Sequence, residues 1–171
     1  MKNIPFHGKA SGTFFIIDDE DYDLVSQFRW HLSRKGYAQA MVPARLHDKY
    51  PVYEIQVQRL LMHDVVDKKS IVDHINRNKL DNRRSNLRIC SIQESNMNRA
   101  KINFKRKQSI TSKYKGVWWD RNKWRTAITV NGKRIYLGKY NKEEDAAIAY
   151  NKAAIKYCGE FACLNVVQKG V

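Results

Sequence analysis

An acidic and an imidazole side chain stand side by side at Asp73-His74, directly after the strand-forming pair Ile71-Val72. A carboxylate oxygen holds a hard divalent cation such as Mg²⁺, and such a cation polarises a phosphate and stabilises a leaving oxygen. A neutral imidazole takes a proton from water near pH 7, because its ordinary pKa is about 6.5. The pair therefore suits phosphodiester hydrolysis. Alone it is weak evidence, because a buried, hydrogen-bonded histidine is the more common case.

The residues around this pair predict a strand, a loop, a second strand and a helix within 71–99. The loop is polar and contains Asp81-Asn82, and the stretch from Leu87 to Cys90 has the composition of a returning strand. Ser91 and Glu94 have the spacing of a capping box, which opens a helix. The predicted hairpin carries the acid and the imidazole on one arm and amides on the other.

The same stretch resembles the HNH endonuclease family in three blocks at matching spacing. These blocks are Asp73-His74-Ile75-Asn76, Asp81-Asn82-Arg83 and Asn86-Leu87-Arg88. The resemblance implies a ββα-metal fold that uses a divalent metal, Mg²⁺ first and Mn²⁺ as the alternative. It also implies that His74 is the general base, that Asp73 is a metal ligand, and that Asn86 holds the hairpin and orients the base.

Two positions depart from the family pattern. The family has His or Asn on the helix, nine residues after the central asparagine, where this chain has Ser95 followed by Asn96. A serine hydroxyl is a poorer Mg²⁺ ligand than an amide carbonyl. Three alternatives stay open: Asn96 is the ligand after a small helix shift, a water fills the gap, or activity is reduced. Gln58 replaces a histidine of many relatives, and His63 nearby is expected to be an ordinary, partly exposed residue.

The first 62 residues are predicted to be mainly β, with hairpins. Alternating or apolar runs typical of strands occur at 12–17, 28–32, 37–42 and 53–58, and an acidic stretch from Asp18 predicts a short helix before Phe28. This part resembles the N-terminal segment of phage and bacterial homing-type HNH proteins in Ile17–Tyr22 and Gln27–His31.

Positive charge is concentrated in one block of the chain. The 171 residues carry a net charge of +15, and residues 100–139 hold 12 basic side chains against a single acidic one, Asp120. A charge that only kept the protein in solution would be spread out, whereas a block suits contact with phosphates. Residues 100–112 lack periodicity and are predicted to be a basic linker that lies along DNA.

Cysteine content and hydropathy exclude several classes. The three cysteines, Cys90, Cys158 and Cys163, form no CxxC pair, so a disulfide framework or a cysteine-based zinc site is not expected. No leader-like opening and no long apolar run occurs, so we expect neither export nor a membrane span. These features predict a cytoplasmic protein, and the resemblance to homing-type HNH proteins implies that a phage or a bacterium encodes it and that it acts in a bacterial cell.

Residues 113–165 predict a sheet followed by a helix. Asn131-Gly132 between two alternating runs is a strong hairpin signal, and Gly138 is expected to close the second strand. Asn141 and Glu144 have capping-box spacing, and Gly159 is the expected stop. The side of this helix that packs on the sheet is expected to hold Ala146, Ala149, Tyr150, Ala153 and Tyr157.

This region resembles the AP2/ERF DNA-binding domain, in which a three-stranded antiparallel sheet lies in the major groove with a helix behind it. The matching residues are Tyr114–Val117, Lys123-Trp124, Tyr136–Tyr140, Glu144–Ala147, Ala149–Asn151, Ala153-Ala154 and Cys163–Asn165. Positions that contact bases in the family hold Ala127 and Thr129 here, so the plant target sequence does not carry over.

Strand alternation assigns the two faces of that sheet independently of the resemblance. The side facing the helix is expected to hold Trp124, Thr126, Ile128, Ile135 and Leu137, with Trp119 also in the core. The opposite side is expected to contact DNA through Lys115, Trp118, Arg121, Arg125, Thr129, Arg134 and Tyr136. A merely solvated strand face is the alternative, and the aromatic Tyr136 on an otherwise polar face argues against it.

The sequence thus predicts an α+β protein: a nuclease domain at 1–99, with a β-rich part at 1–62 and the ββα-metal motif at 71–99, the linker, and an AP2-like domain at 113–171. The predicted function is metal-dependent cleavage of double-stranded DNA by a monomer of homing type, without a membrane or small-molecule cofactor. A DNA-binding regulator with an inactive nuclease domain is the alternative, favoured by Ser95 and Gln58.

Overall fold

The computed structural model describes residues 1–67, 69–101 and 112–167. The chain forms two compact units, residues 1–92 and residues 93–171. The predicted basic linker at 100–112 falls almost entirely outside the described residues. The fold is mixed α and β with small antiparallel sheets, as the sequence predicts.

The first unit begins with two small antiparallel sheets. Strands β1 (Lys2–Pro5) and β2 (Phe14–Ile17) form one, and β3 (Trp30–Leu32), β4 (Ala38–Met41) and β5 (Glu54–Gln56) form the other in the order β3-β4-β5. Along the chain, the predicted short helix, α1 (Tyr22–Val25), follows β2 and precedes β3, with acidic residues directly before it. The β-rich prediction for this part of the chain is therefore confirmed.

An aromatic core joins these sheets. Phe15 and Trp30 are almost fully buried, with ring centroids 5.5 Å apart in an edge-on arrangement. The indole Nε1 of Trp30 donates to the carbonyl of Val25 at 2.9 Å, so the polar atom of the largest core side chain is satisfied. This core fixes β2, the strand on which the polar hairpin loop rests.

The strand predicted for 53–58 was wrong at its end. Strand β5 stops at Gln56, and helix α2 (Val57–Leu61) follows at once. Val57, Leu60 and Leu61 are buried at helical spacing, which outweighs the alternation of the preceding residues. Gln58, also buried on α2, donates its Nε2 to Oε1 of Gln56.

The predicted strand, loop, strand and helix are present. Strand β6 (Ile71–His74) pairs antiparallel with β7 (Leu87–Cys90), and α3 (Ile92–Asn98) follows. The loop between the strands is tied to β2 by two backbone hydrogen bonds at Ile16, whose N–H donates to Leu80 and whose carbonyl accepts from Asn82. The core sheet thereby positions the polar loop.

In the second unit, β8 (Val117–Asp120), β9 (Lys123–Val130) and β10 (Lys133–Tyr140) form a sheet in the order β10-β9-β8. Asn131 and Gly132 have φ values of 50° and 75°, so the predicted Asn-Gly hairpin turn is confirmed. The prediction that Gly138 closes β10 was wrong. The strand continues to Tyr140 through a register shift at Gly138, whose φ of 127° a glycine accepts without strain.

Helix α4 (Glu143–Cys158) packs on this sheet and ends at Gly159, as predicted. The predicted capping box was wrong: Lys142 is the N-cap residue, and the side-chain oxygen of Asn141 accepts a hydrogen bond from Lys123 instead. Gly116 allows close packing of sheet and helix, because a Cβ there would lie 2.2 Å from the ring of Tyr150.

The face of α4 that packs on the sheet is alanine-rich, as expected. Its buried members are Ala146, Ala147, Tyr150, Ala153 and Ala154. Tyr157 was predicted to share this face and is instead 39% exposed. Small side chains at the contact allow the helix axis to approach the strands closely.

Candidate nuclease site and nucleic-acid interface

His74 ends strand β6 and is 4% exposed. Its Nε2 lies 3.0 Å from Oδ1 of Asn82, which is fully buried. Nδ2 of Asn82 donates to the carbonyl of Lys79, which directs the amide oxygen toward the imidazole. Because an amide oxygen only accepts, Nε2 carries the hydrogen, and in the neutral ring Nδ1 carries the lone pair.

Burial lowers the pKa of His74 below its ordinary value of 6.5. The hydrogen bond that His74 donates to Asn82 and the charges of Asp73 and Asp81 oppose this shift without cancelling it. The charged imidazolium is the form that loses hydration on burial. The ring is therefore neutral at pH 7 and able to accept a proton.

Asp73 pairs with Arg88 across the hairpin. The two residues are register partners on β6 and β7, with Oδ2 of Asp73 3.1 Å from a terminal nitrogen of Arg88. Both side chains are largely buried, at 14% and 11% exposed. A carboxylate oxygen fits a hard divalent cation, and a cation bound to Asp73 would share that carboxylate with a guanidinium.

Asn86 closes the loop between β6 and β7. Its Nδ2 donates to the carbonyl of Asp81 at 2.7 Å and to Oδ1 of Asn76 at 3.0 Å, and its Oδ1 accepts from the backbone N–H of Asn76 at 2.9 Å. The side chain is buried. Asn86 therefore holds the two ends of the loop together, in line with the role that the resemblance implies for the hairpin.

Asp81 forms the polar centre of the same loop. Its carboxylate accepts hydrogen bonds from Nδ2 of Asn76 and from both Nε and a terminal nitrogen of Arg83, at 2.7–2.8 Å. The hydrogen bonds from Arg83, followed by that from Asn76, lower the pKa of this buried carboxyl. Asp81 is thus an ionised anchor that stiffens the loop beside His74.

Sequence reasoning missed the part that Asn82 plays. Asn82 belongs to a block that resembles the family, but the resemblance implies that Asn86, and not Asn82, orients the imidazole of His74. In the structure the direct partner of the imidazole is Asn82, and Asn86 bonds to the loop. An amide in a polar turn is a weak signal, because only the folded loop decides which side chain meets the ring.

The two candidate helix ligands are on α3, most of which belongs to the second unit. Ser95 is half-buried, whereas Asn96 is exposed and its Oδ1 accepts from Arg99 at 3.2 Å. The two residues thus differ in exposure.

A separate acidic group lies near the start of the chain. Among the described residues, Asp18, Glu20 and Asp21 are the one set of three metal-binding side chains whose ligand atoms lie close together. Arg84 donates its backbone N–H to Asp18 and its guanidinium to Asp21, at 2.7–3.1 Å. The group is therefore already bonded to a cation of the hairpin.

The predicted faces of the second-unit sheet are present. Residues facing α4, all buried or half-buried, are Trp124, Thr126, Ile128, Ile135 and Leu137. On the opposite face, Thr129 pairs with Arg134, and Trp118 and Lys139 pair with Arg125 on either side. Trp119 was expected in the core and is instead 40% exposed, with its ring edge-on to Trp124.

Two contacts order the outward face. The guanidinium of Arg134 lies over the ring of Trp118, 4.4 Å from its centroid. A terminal nitrogen of Arg125 lies 2.7 Å from a carboxylate oxygen of Asp120. With the half-exposed Tyr136, these side chains form a surface of cations and aromatics, the composition that suits nucleic acid.

Lys115 and Arg121, two other predicted DNA contacts, lie outside the strands. The Lys115 ammonium donates to the carbonyls of Met97 and Arg99 at the end of α3, at 2.8 and 2.6 Å. Arg121 is exposed in the β8–β9 turn with a φ of 45°. The Lys115 side chain therefore bonds the end of a helix, and that of Arg121 is accessible.

Two family models match the chain. Residues 64–97 match the HNH endonuclease model, and residues 112–160 match the AP2 domain model. The first contains the hairpin of Asp73, His74 and Asn86, and the second contains the three-stranded sheet and all of α4. The chain therefore contains one segment similar to HNH endonucleases and a second segment similar to AP2 domains.

Similar proteins agree with this division. A protein of Acanthamoeba polyphaga mimivirus described as an uncharacterized HNH endonuclease is 29% identical over 161 residues, which are 94% of this chain and 79% of that protein. Two AP2-like ethylene-responsive transcription factors of Arabidopsis thaliana are 46% and 44% identical over 55 residues. Those residues are 32% of this chain but only 18% and 16% of the plant proteins.

Within the described ranges, no helix has the length and apolar character that crossing a membrane requires.

Proposed function

We propose that this protein is a metal-dependent endonuclease of homing type that cleaves double-stranded DNA at a site selected by its AP2 domain. The observation that carries the proposal is the state of His74. The ring is buried at a strand end, neutral near pH 7, held in one tautomer by Asn82, and adjacent to the carboxylate of Asp73. A general base requires this combination of protonation state and fixed orientation.

In the proposed reaction, Nδ1 of His74 takes the proton from the attacking water. Asn82 keeps the hydrogen on Nε2 through its fixed amide oxygen, so that in the neutral ring Nδ1 carries the lone pair that takes the proton. Hydrogen bonds of Asn86 and Asp81 hold the loop that carries Asn82. Asn86 and Asp81 are therefore positioning residues. A general base of this kind typically contributes about 10²–10⁴-fold in rate.

Asp73 is the proposed metal ligand on the hairpin, and Ser95 is the proposed position of the helix ligand, because the family pattern places that ligand nine residues after Asn86. A bound divalent cation, Mg²⁺ in the first place, supplies charge stabilisation at the scissile phosphate and at the leaving oxygen. The ion pair with Arg88 orients the Asp73 carboxylate.

The AP2 sheet is the proposed site-selecting element. Its outward face presents Arg125, Arg134 and Tyr136, and the surrounding segment carries most of the excess positive charge of the chain. Cations that contact phosphates supply affinity and steer association, and side chains at base edges supply sequence preference. One hairpin acts on one strand at a time, so a nick is the expected first product.

The experiment that tests the proposal is incubation of supercoiled plasmid with the full-length protein, with Mg²⁺ or with a chelator. Nicked DNA that appears only with Mg²⁺ supports a metal-dependent nuclease. The alternative, a DNA-binding regulator with an inactive nuclease domain, predicts a gel shift without nicked or linear product under either condition. Product that forms equally in the chelator would contradict the metal dependence.

A further inference from the structure

The outward face of the AP2 sheet holds one acidic side chain, that of Asp120, although a surface that binds phosphates is expected to carry only positive charge. Asp120 is the single acidic residue among positions 100–139, against 12 basic ones. Its carboxylate is 2.7 Å from a terminal nitrogen of Arg125. A negative charge on a phosphate-facing surface weakens sequence-independent binding. What Asp120 contributes must therefore come through the arginine that it holds.

Arg125 occupies the centre of that face. It lies on β9, the middle strand, with Trp118 as its register partner on β8 and Lys139 on β10. Three strands about 4.8 Å apart span about 10 Å, which fits a major groove about 12 Å wide. A long side chain at the middle of such a sheet is well placed to reach the base edges.

The Arg125 side chain is restrained before any DNA binds. It is only 24% exposed, and its buried Nε has no hydrogen-bond partner among the described residues. The bond to Asp120 therefore fixes the guanidinium at its outer end. The two terminal nitrogens carry four hydrogens, more than one carboxylate contact uses, and their spacing matches N7 and O6 of guanine. Restraint in advance reduces the entropy lost on binding.

The other cations of the face are held differently. Arg134 is exposed and lies over the Trp118 ring, and Lys139 is also exposed. An aromatic ring leaves the cationic charge in place, which suits a phosphate. A carboxylate offsets the charge of Arg125 and leaves its hydrogen-bond geometry intact. This difference favours a base edge over a phosphate for Arg125.

We propose that Arg125 contacts a guanine in the major groove, and that Asp120 is the positioning residue that aims it. Together they set the preference for one G·C pair of the target. The negative charge of Asp120 also weakens binding to DNA that lacks this G·C base pair. Asp120 therefore raises specificity in two ways, by aiming Arg125 and by weakening binding to other sequences. The inference rests on the proposed function only in that the AP2 domain selects the site.

The test is selection of bound duplexes from a random pool by the full-length protein in a chelator, so that cleavage plays no part. Wild type is expected to prefer guanine at one position by about 5- to 150-fold, the discrimination of one bidentate pair. Arg125→Ala is expected to lose that preference at that position alone. Asp120→Asn is expected to weaken the preference at the same position and to bind unrelated DNA more tightly than wild type.

Lys139→Ala is the matched control, because it removes a cation from the same row of the sheet without touching the pair. It is expected to weaken binding to all sequences alike. Circular dichroism establishes that each variant is folded, and Asp120→Ser replaces Asp120→Asn if the latter is not.

Three results would overturn the inference. The first is a wild type without any guanine preference. The second is an Arg125→Ala protein that loses affinity equally for all sequences, with a salt slope reduced by about 0.9, as a phosphate contact requires. The third is an Asp120→Asn protein whose preference changes at a different base pair or is unchanged. A protein that selects guanine but cuts nothing with Mg²⁺ would contradict the nuclease proposal and leave this inference standing.

Discussion

His74 and Asn82 are joined by a hydrogen bond of 3.0 Å between Nε2 and Oδ1, and both side chains are buried. The strand β6 supplies the imidazole, and the loop that rests on β2 supplies the amide. This one contact fixes both the tautomer and the ring plane of His74. Changes at Asn82 therefore test how the hairpin prepares His74 to act as the base.

The cleavage rate is expected to be nearly independent of pH above about 6.5 and to fall only at lower pH. Burial lowers the pKa of His74, so the neutral ring persists to lower pH than that of an exposed histidine. Single-turnover cleavage at a series of pH values measures this, with DNA binding checked at each pH. A rate that falls with a midpoint above 6.5 would contradict the proposed state of the base.

Asn82→Asp is expected to shift that midpoint upward, because a carboxylate beside the ring stabilises the imidazolium. Asn82→Leu keeps the volume and removes the acceptor, which costs about 1–3 kcal/mol of stability for the buried N–H left behind and lowers the rate. Thermal denaturation and the pH profile of cleavage measure the two effects. An Asn82→Asp enzyme with an unchanged profile would mean that Asn82 does not act on the base.

The helix ligand can be located by removing the amide at position 96 and by introducing an amide at position 95. Because Arg99 engages the Asn96 amide, Asn96→Ala is expected to leave the Mg²⁺ requirement nearly unchanged. Ser95→Asn is expected to lower the Mg²⁺ concentration for half-maximal cleavage by at least about tenfold, the lower end of effects seen around metal sites. Titration of the rate with Mg²⁺ measures both. The opposite pattern, with Asn96→Ala impaired and Ser95→Asn unchanged, would assign the ligand to Asn96.

Lys115 and Arg134 are expected to behave differently although both were predicted from the sequence to contact DNA. Lys115→Met removes hydrogen bonds to the carbonyls of Met97 and Arg99, so it should lower the thermal denaturation temperature and leave the salt slope of binding unchanged. Arg134→Ala should lower that slope by about 0.9 if the residue meets a phosphate. Gel-shift titrations at several salt concentrations separate the two. A reduced slope for Lys115→Met would restore it as a DNA contact.

The elements of the second unit could be predicted well because their signals are local. Asn131-Gly132 fixes the turn, and alternation from Trp124 to Leu137 separates the two faces. The helix start was wrong because Asn141, a good cap by type, bonds to Lys123 on the neighbouring strand. A residue type states what a side chain is able to bond, and the tertiary fold decides what it meets.

The same limit applies to the candidate sites. The adjacency of Asp73 and His74 and their place at a strand end follow from the sequence. The contacts of His74 with Asn82 and of Asp73 with Arg88 depend on loop closure and strand register. Lys115 follows no strand period, and its long side chain reaches carbonyls at residues 97 and 99, which periodicity does not encode.

The most direct test of the central claim is the single-turnover cleavage rate of His74→Ala with Mg²⁺, measured beside His31→Ala, a half-buried histidine outside the proposed site. His74→Ala is expected to lose at least about 100-fold in rate, since a general base contributes about 10²–10⁴-fold, while both variants bind DNA like wild type. His31→Ala is expected to cut normally. Undiminished cleavage by a folded His74→Ala protein would contradict the account.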